Sequence, residues 1–102
     1  MSDPSRLSKS TGHASDFYMA CRQGDLATVN RYLKTMSVRE VNKIEESNGS
    51  TALHAASYFG HADVVKRLLE IGASKYTHNG YGKTAEQEAQ NEEIKNLFKT
   101  HH

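Results

Sequence analysis

The chain has 102 residues, room for one small domain and for no second substantial one. Apolar residues make up 36% and charged residues 25%, so a core is available but not a generous one. The 13 Lys and Arg nearly cancel the 12 Asp and Glu, leaving a formal charge of +1, which argues against a dedicated binder of nucleic acid or anionic membrane.

Residues 1–14 carry Ser, Thr, Gly and Pro with no apolar period and are expected to form a disordered lead-in. Order is expected from Asp16, read as an N-cap, through FYMACRQ to a break at Gly24. In LATVNRYLK, Leu26, Val29, Tyr32 and Leu33 fall on one helical stripe. Residues 35–49 are polar and weakly periodic, and read as a long connection. A second pair of helices follows over 52–59 and 62–71, broken at Gly60. The longer one carries Val64, Val65, Leu68 and Leu69 and ends in a left-handed C-cap at Gly72. The polar link SKYTHNGYG leads to a short helix over 85–90, and a last helix over 93–100 has Ile94, Leu97 and Phe98 as its apolar side. His101 and His102 read as a tail or the remnant of a tag.

This alternation of short helix, turn, longer helix and link asks for a repeat test. Gly49 and Gly82 are 33 residues apart, as are Thr51 and Thr84. Ala20, Gly24, Val29 and Leu33 map onto Ala56, Gly60, Val65 and Leu69 at an offset of 36, with the extra residues placed in the link after Leu33. Val65 and Leu69 map onto Ile94 and Phe98 at only 29, so the last unit has a shortened interior.

The segment Gly49-Ser50-Thr51-Ala52-Leu53-His54-Ala55-Ala56, then Gly60-His61, then Val64-Val65-Lys66-Arg67-Leu68-Leu69 and Gly72-Ala73, resembles a complete ankyrin repeat. FYMACRQGDLATVNRYL resembles the amino-terminal capping repeat of that family, and GKTAEQEAQNEEIKNLF a shortened carboxy-terminal one. The resemblance implies an all-α solenoid of about three stacked helix-turn-helix units joined by hairpin-like loops, over residues 15–45, 46–78 and 79–100. It also gives structural roles to Thr51, His54, Gly60 and Gly72, with Thr51 and His54 hydrogen-bonded across turns. Small Ala55, Ala56, Ser57 and Cys21 would let inner helices approach closely. The family's usual Pro at the helix start is Ala at both Ala52 and Ala85. Glu86-Gln87 stand where Leu-His is usual, which suits an outer, water-facing cap.

No catalytic constellation emerges. His54 and His61 are seven apart in a helix start and a turn, where motif roles account for both. Cys21 lies on an apolar helix side and reads as a small buried hydrophobe; alone, it forms neither an internal disulfide nor a zinc site. Glu40, Glu45, Glu46, Glu86, Glu88, Glu92 and Glu93 lack a Gly-centred cation loop and read as solvated surface. Gly82-Lys83-Thr84 lacks the earlier glycine of a phosphate loop. Neither a metal nor any cofactor is expected, and the chain is not expected to be an enzyme.

Recognition in this family uses hairpin tips and the exposed side of the inner helices. The resemblance therefore implies partner contacts by Arg22, Gln23, Ser47, Asn48, Ser50, Tyr58, Phe59, Gly80, Tyr81 and Lys83. Exposed aromatics at Tyr58, Phe59 and Tyr81 would be the anchors, the alternative being that they pack between repeats. The expected function is protein–protein interaction through a concave face, by a monomer that binds neither nucleic acid nor membrane. The rival is a targeting or regulatory arm of a larger protein whose catalytic domain lies elsewhere. No run approaches the roughly 18 apolar residues of a membrane helix, and MSDPSRLSKSTGH has no signal-peptide core, so an intracellular protein is expected. Lys66-Arg67 is too short to signal the nucleus, which leaves cytoplasm and nucleus open.

Overall fold

The computed structural model describes residues 15–100; the expected lead-in over 1–14 and the tail at 101–102 lie outside the described residues. Among the described residues there are six helices and no strand. They are α1 (Asp16–Gln23), α2 (Leu26–Leu33), α3 (Val38–Val41), α4 (Ala52–Tyr58), α5 (Ala62–Glu70) and α6 (Glu92–Thr100).

Every helix start but that of α5 at His61 has a side-chain acceptor. Ser15, not Asp16, caps α1: its Oγ accepts from the Tyr18 amide at 3.1 Å, while Asp16 sits in the first turn, where a carboxylate favours the helix dipole. Ser15 is held in turn by Glu45, whose carboxylate accepts from the Ser15 amide at 3.1 Å and from its hydroxyl at 2.8 Å. Glu45 is therefore not the solvated residue expected from its neighbours; it is 7% exposed and ties the first helix to the following hairpin. Asp25 caps α2 through the Thr28 amide. The stretch 35–49 is not wholly a connection either, because Ser37 and Glu40 form a reciprocal capping box that starts α3 and delivers Val41 to the core.

Thr51 and His54 form the corresponding box on α4, and α5 closes on a Schellman turn. There Gly72 sits at φ 94°, its amide donating to Leu69 and that of Ala73 to Leu68. In the third unit Thr84 and Gln87 make another reciprocal pair, yet no helix follows over 85–90. The backbone there is committed elsewhere: the Ala85 carbonyl accepts the Ser57 hydroxyl at 2.6 Å, and the Gln90 amide donates to the Ser57 carbonyl at 3.1 Å. With Ala85 its only buried side chain, the segment gains more from docking on α4 than from a second helical turn.

Helices α1 and α4 lie against each other as an inner layer, and α2, α5 and α6 back them, with α5 in contact with both α2 and α6. The apolar stripes meet between the layers, where Cys21, Val29, Ala56, Val64, Val65, Leu68, Ile94 and Phe98 are all buried. Each of the Val, Leu, Ile and Phe side chains among them contributes about 1.5–3 kcal/mol. The turns at Gly49 and Gly82, φ 83° and 74°, repeat the same bend 33 residues apart. They stack through the Gly80 amide, which donates to the Asn48 carbonyl at 2.6 Å. A Cβ on Gly49 would lie 2.8 Å from the Gly80 nitrogen, so the two turns approach as backbone on backbone.

Candidate interaction groove

His54 fixes the centre of the inner surface. The Thr51 amide and hydroxyl lie 3.3 and 2.9 Å from its Nδ1, and its Nε2 is 3.0 Å from the Lys83 carbonyl. Because an amide can only donate, Nδ1 accepts and Nε2–H donates, so one ring bridges the start of α4 to the next turn. Ser57 makes the next link one helical turn along, to Ala85. On the other side, His61 Nε2 lies 2.8 Å from the Arg22 carbonyl, and on the outer layer Arg67 Nε donates to Asn30 at 2.9 Å. These contacts hold successive units in one register.

Between α1, α4 and the two stacked turns lies an open concavity of about 370 Å³. Helix α1 contributes Tyr18 and Arg22, the first turn Glu46, Asn48 and Ser50, α4 and its C-cap His54, Tyr58 and Phe59, and the third unit Tyr81 and Glu88. The aromatic rim is presented to solvent: Tyr58 is 57% exposed, Phe59 40% and Tyr81 70%. Tyr58 meets Phe59 edge to face at a centroid distance of 5.1 Å. The Arg22 guanidinium lies 4.9 Å from the Phe59 ring centroid and 3.5 Å from the Glu46 carboxylate. Phe59 therefore contacts the preceding repeat and is also open to the groove.

Tyr18 forms part of the floor. Burial, and then its hydrogen bond to the nearby Glu46 carboxylate, push its phenol well above the ordinary value, so the hydroxyl remains a donor. Cys21, one helical turn away, is fully buried, and loss of solvent raises its thiol to about 12. A group so buried and so protonated is a packing residue, as expected. Among the described residues no group of three or more His, Cys, Asp or Glu is arranged to hold a metal ion, and no helix is long and apolar enough to cross a membrane.

Six of the residues expected to contact a partner, Arg22, Asn48, Ser50, Tyr58, Phe59 and Tyr81, line this one concavity. Ser50 lines it as floor and not as an exposed tip, being 7% exposed. Gln23, Ser47, Gly80 and Lys83 are exposed but lie outside the lining. Four lining residues fell outside the expected set. Tyr18 sits in an apolar helix pattern and His54 in a structural motif, while Glu46 and Glu88 read as surface charge; the spacing of Glu46 two residues before Asn48 was the available signal for the first carboxylate.

Comparison with known proteins supports the same architecture. A family model described as "Ankyrin repeats (3 copies)" matches residues 17–100. The chain is 40% identical over 55 residues to protein fem-1 homolog C of Danio rerio, a match covering 52% of this chain and 9% of that protein. The human ASB11 ankyrin repeat domain, known from a crystal structure, superposes with a TM-score of 0.68 at 27% identity, covering 83% of this chain and 39% of that one. Ankyrin repeats are in general non-catalytic modules of protein–protein interaction. Paired inner and outer helices, a 33-residue turn spacing, Thr51–His54 capping and this match across nearly all the described residues lead to one conclusion: the chain belongs to the ankyrin repeat family.

Proposed function

We propose that this chain is a non-catalytic recognition module that takes another protein on the groove between α1, α4 and the two stacked turns. The observation that carries the reading is the gathering of Tyr58, Phe59 and Tyr81, from two different repeats, around one open concavity while each stays 40% exposed or more. Large, stiff aromatic side chains held at a surface are where interface energy concentrates. Arg22 and Asn48 complete the contact set, Ser50 serves as floor, and Gln23, Ser47, Gly80 and Lys83 form the rim. The reading needs no cofactor, and the groove's two carboxylates against one guanidinium suit neither nucleic acid nor an anionic membrane. The module acts as a monomer inside the cell.

Affinity capture from a native extract, comparing the intact chain with Tyr58→Ala/Tyr81→Ala, tests this. A partner retained by the first and lost by the second, with the helical circular-dichroism signal intact, is the expected result. Equal retention by both, or loss of the fold by the double variant, overturns the assignment of the groove. A second reading, an interaction arm of a larger protein, is favoured by the lengths of its relatives: the chain covers 9% of the fem-1 homolog and 39% of the ASB11 repeat domain. In that reading the groove is unchanged, and what it recruits serves a neighbouring domain.

A further inference from the structure

The groove is not chemically neutral toward its partner. Its one guanidinium is already engaged, because Arg22 lies 3.5 Å from the Glu46 carboxylate and over the Phe59 ring. Glu46 is thus held by Arg22, and its charge also helps keep the proton on the nearby Tyr18 hydroxyl. Glu88 is different. It lines the same concavity from the opposite repeat, and its carboxylate has no hydrogen bond or ion pair among the described residues. The hydroxyls of Tyr58 and Tyr81 are likewise unpartnered there, and both rings are more than half exposed. An incoming anion would have to displace Glu46 from Arg22 and would meet Glu88 unscreened. An incoming cation finds an unpaired carboxylate and the negative faces of aromatic rings.

We propose that the segment recognised in this groove carries a Lys or Arg whose cationic head pairs with Glu88 beside the rings of Tyr58 and Tyr81. This rests on the groove being the interaction face, and it names the chemistry of what enters. The aliphatic stem of such a side chain covers the aromatic surface while its head reaches the carboxylate, so one residue satisfies both features of the site. An exposed pair of this kind contributes modestly on its own, and the rings beside it strengthen it.

The test is selection of a random twelve-residue peptide library displayed on phage against the full chain, followed by affinity measurements on synthetic copies of the selected peptides. The expected result is enrichment of sequences sharing one Lys or Arg. Their affinity should fall about tenfold on Glu88→Gln and further on Tyr58→Ala/Tyr81→Ala, and weaken with added salt. Replacing that Lys or Arg by Glu should abolish binding to the unaltered chain and restore it on Glu88→Lys. The Glu88 carboxylate makes no hydrogen bond or ion pair among the described residues, and an unchanged circular-dichroism spectrum checks that these variants are folded. Selected peptides that lack a shared cation, or that ignore Glu88→Gln, yet lose binding on Tyr58→Ala/Tyr81→Ala, overturn the cation and leave the groove as the interaction face. Peptides indifferent to the Tyr variants overturn both, as does a failure to enrich any peptide.

Discussion

Replacing His54 by alanine should weaken the whole array by loosening its third unit. The ring is 1% exposed and does three things: it accepts from the Thr51 amide, which closes the capping box, accepts from the Thr51 hydroxyl, and donates to the Lys83 carbonyl at 3.0 Å. Thr51 is itself 4% exposed, so its amide would be left without an acceptor away from water. That loss costs about 1–3 kcal/mol, and the Lys83 bond about 1 kcal/mol more, softened because the Asn79 amide still reaches that carbonyl. The void left by the ring adds to this, so the total falls at about 2–4 kcal/mol. For a domain of this size that lowers the melting temperature by upwards of about 10 °C. Urea unfolding followed by far-UV circular dichroism measures it. Because repeats unfold as coupled neighbours, the urea slope should also shrink as the unit carrying α6 comes apart first. A loss below about 0.5 kcal/mol with an unchanged slope would refute the bridging role.

Two glycines separate backbone strain from crowding. Gly24 and Gly72 both have positive φ, 78° and 94°, but a Cβ on Gly24 would run into the His61 ring whereas one on Gly72 meets open space. Gly72→Ala should therefore cost about 1–2 kcal/mol, and Gly24→Ala clearly more, with equal losses counting against the contact. The Cys21 thiol, raised from 9.0 to about 12, keeps its proton in the folded chain while the unfolded chain releases it. The unfolded state then binds fewer protons, so stability falls as pH climbs from about 9 toward about 12, and Tyr18 adds the same sign. Urea midpoints across that range should decline less steeply for Cys21→Ala than for the unaltered chain; parallel curves would show the thiol exposed. A double-mutant cycle on Arg22 and Glu46, 42% and 30% exposed, should return at most about 1 kcal/mol of stability, so the pair orders the groove more than it holds the fold. A coupling of several kcal/mol would contradict that.

The sequence carried the fold wherever side-chain periodicity and turn chemistry agreed. Val64, Val65, Leu68 and Leu69 mark α5 by spacing, and the paired Gly49 and Gly82 turns mark the repeat. Where the structure departs, long-range hydrogen bonds outweigh local pattern. Glu45 reads as surface charge until Ser15, thirty residues away, is placed against it. Residues 85–90 read as a helix until Ser57 takes their backbone groups. Helix α3 was legible in Ser37-x-x-Glu40, a capping signature inside an otherwise polar stretch. At the groove, Tyr58, Phe59 and Tyr81 were visible as aromatic residues at positions expected to be exposed on the concave face. The difference between Glu46 and Glu88 was not, because which of two carboxylates has a partner is decided by tertiary placement alone.

That the aromatic groove is the face that binds is tested most directly by mapping backbone amide chemical shifts while the tightest peptide selected on the unaltered chain is added. The largest changes should gather at Arg22, Asn48, Tyr58, Phe59, Tyr81 and Glu88, around the one concavity. Changes gathered instead on the exposed sides of α2, α5 and α6, with the groove amides unmoved, would contradict it and place recognition on the outer layer.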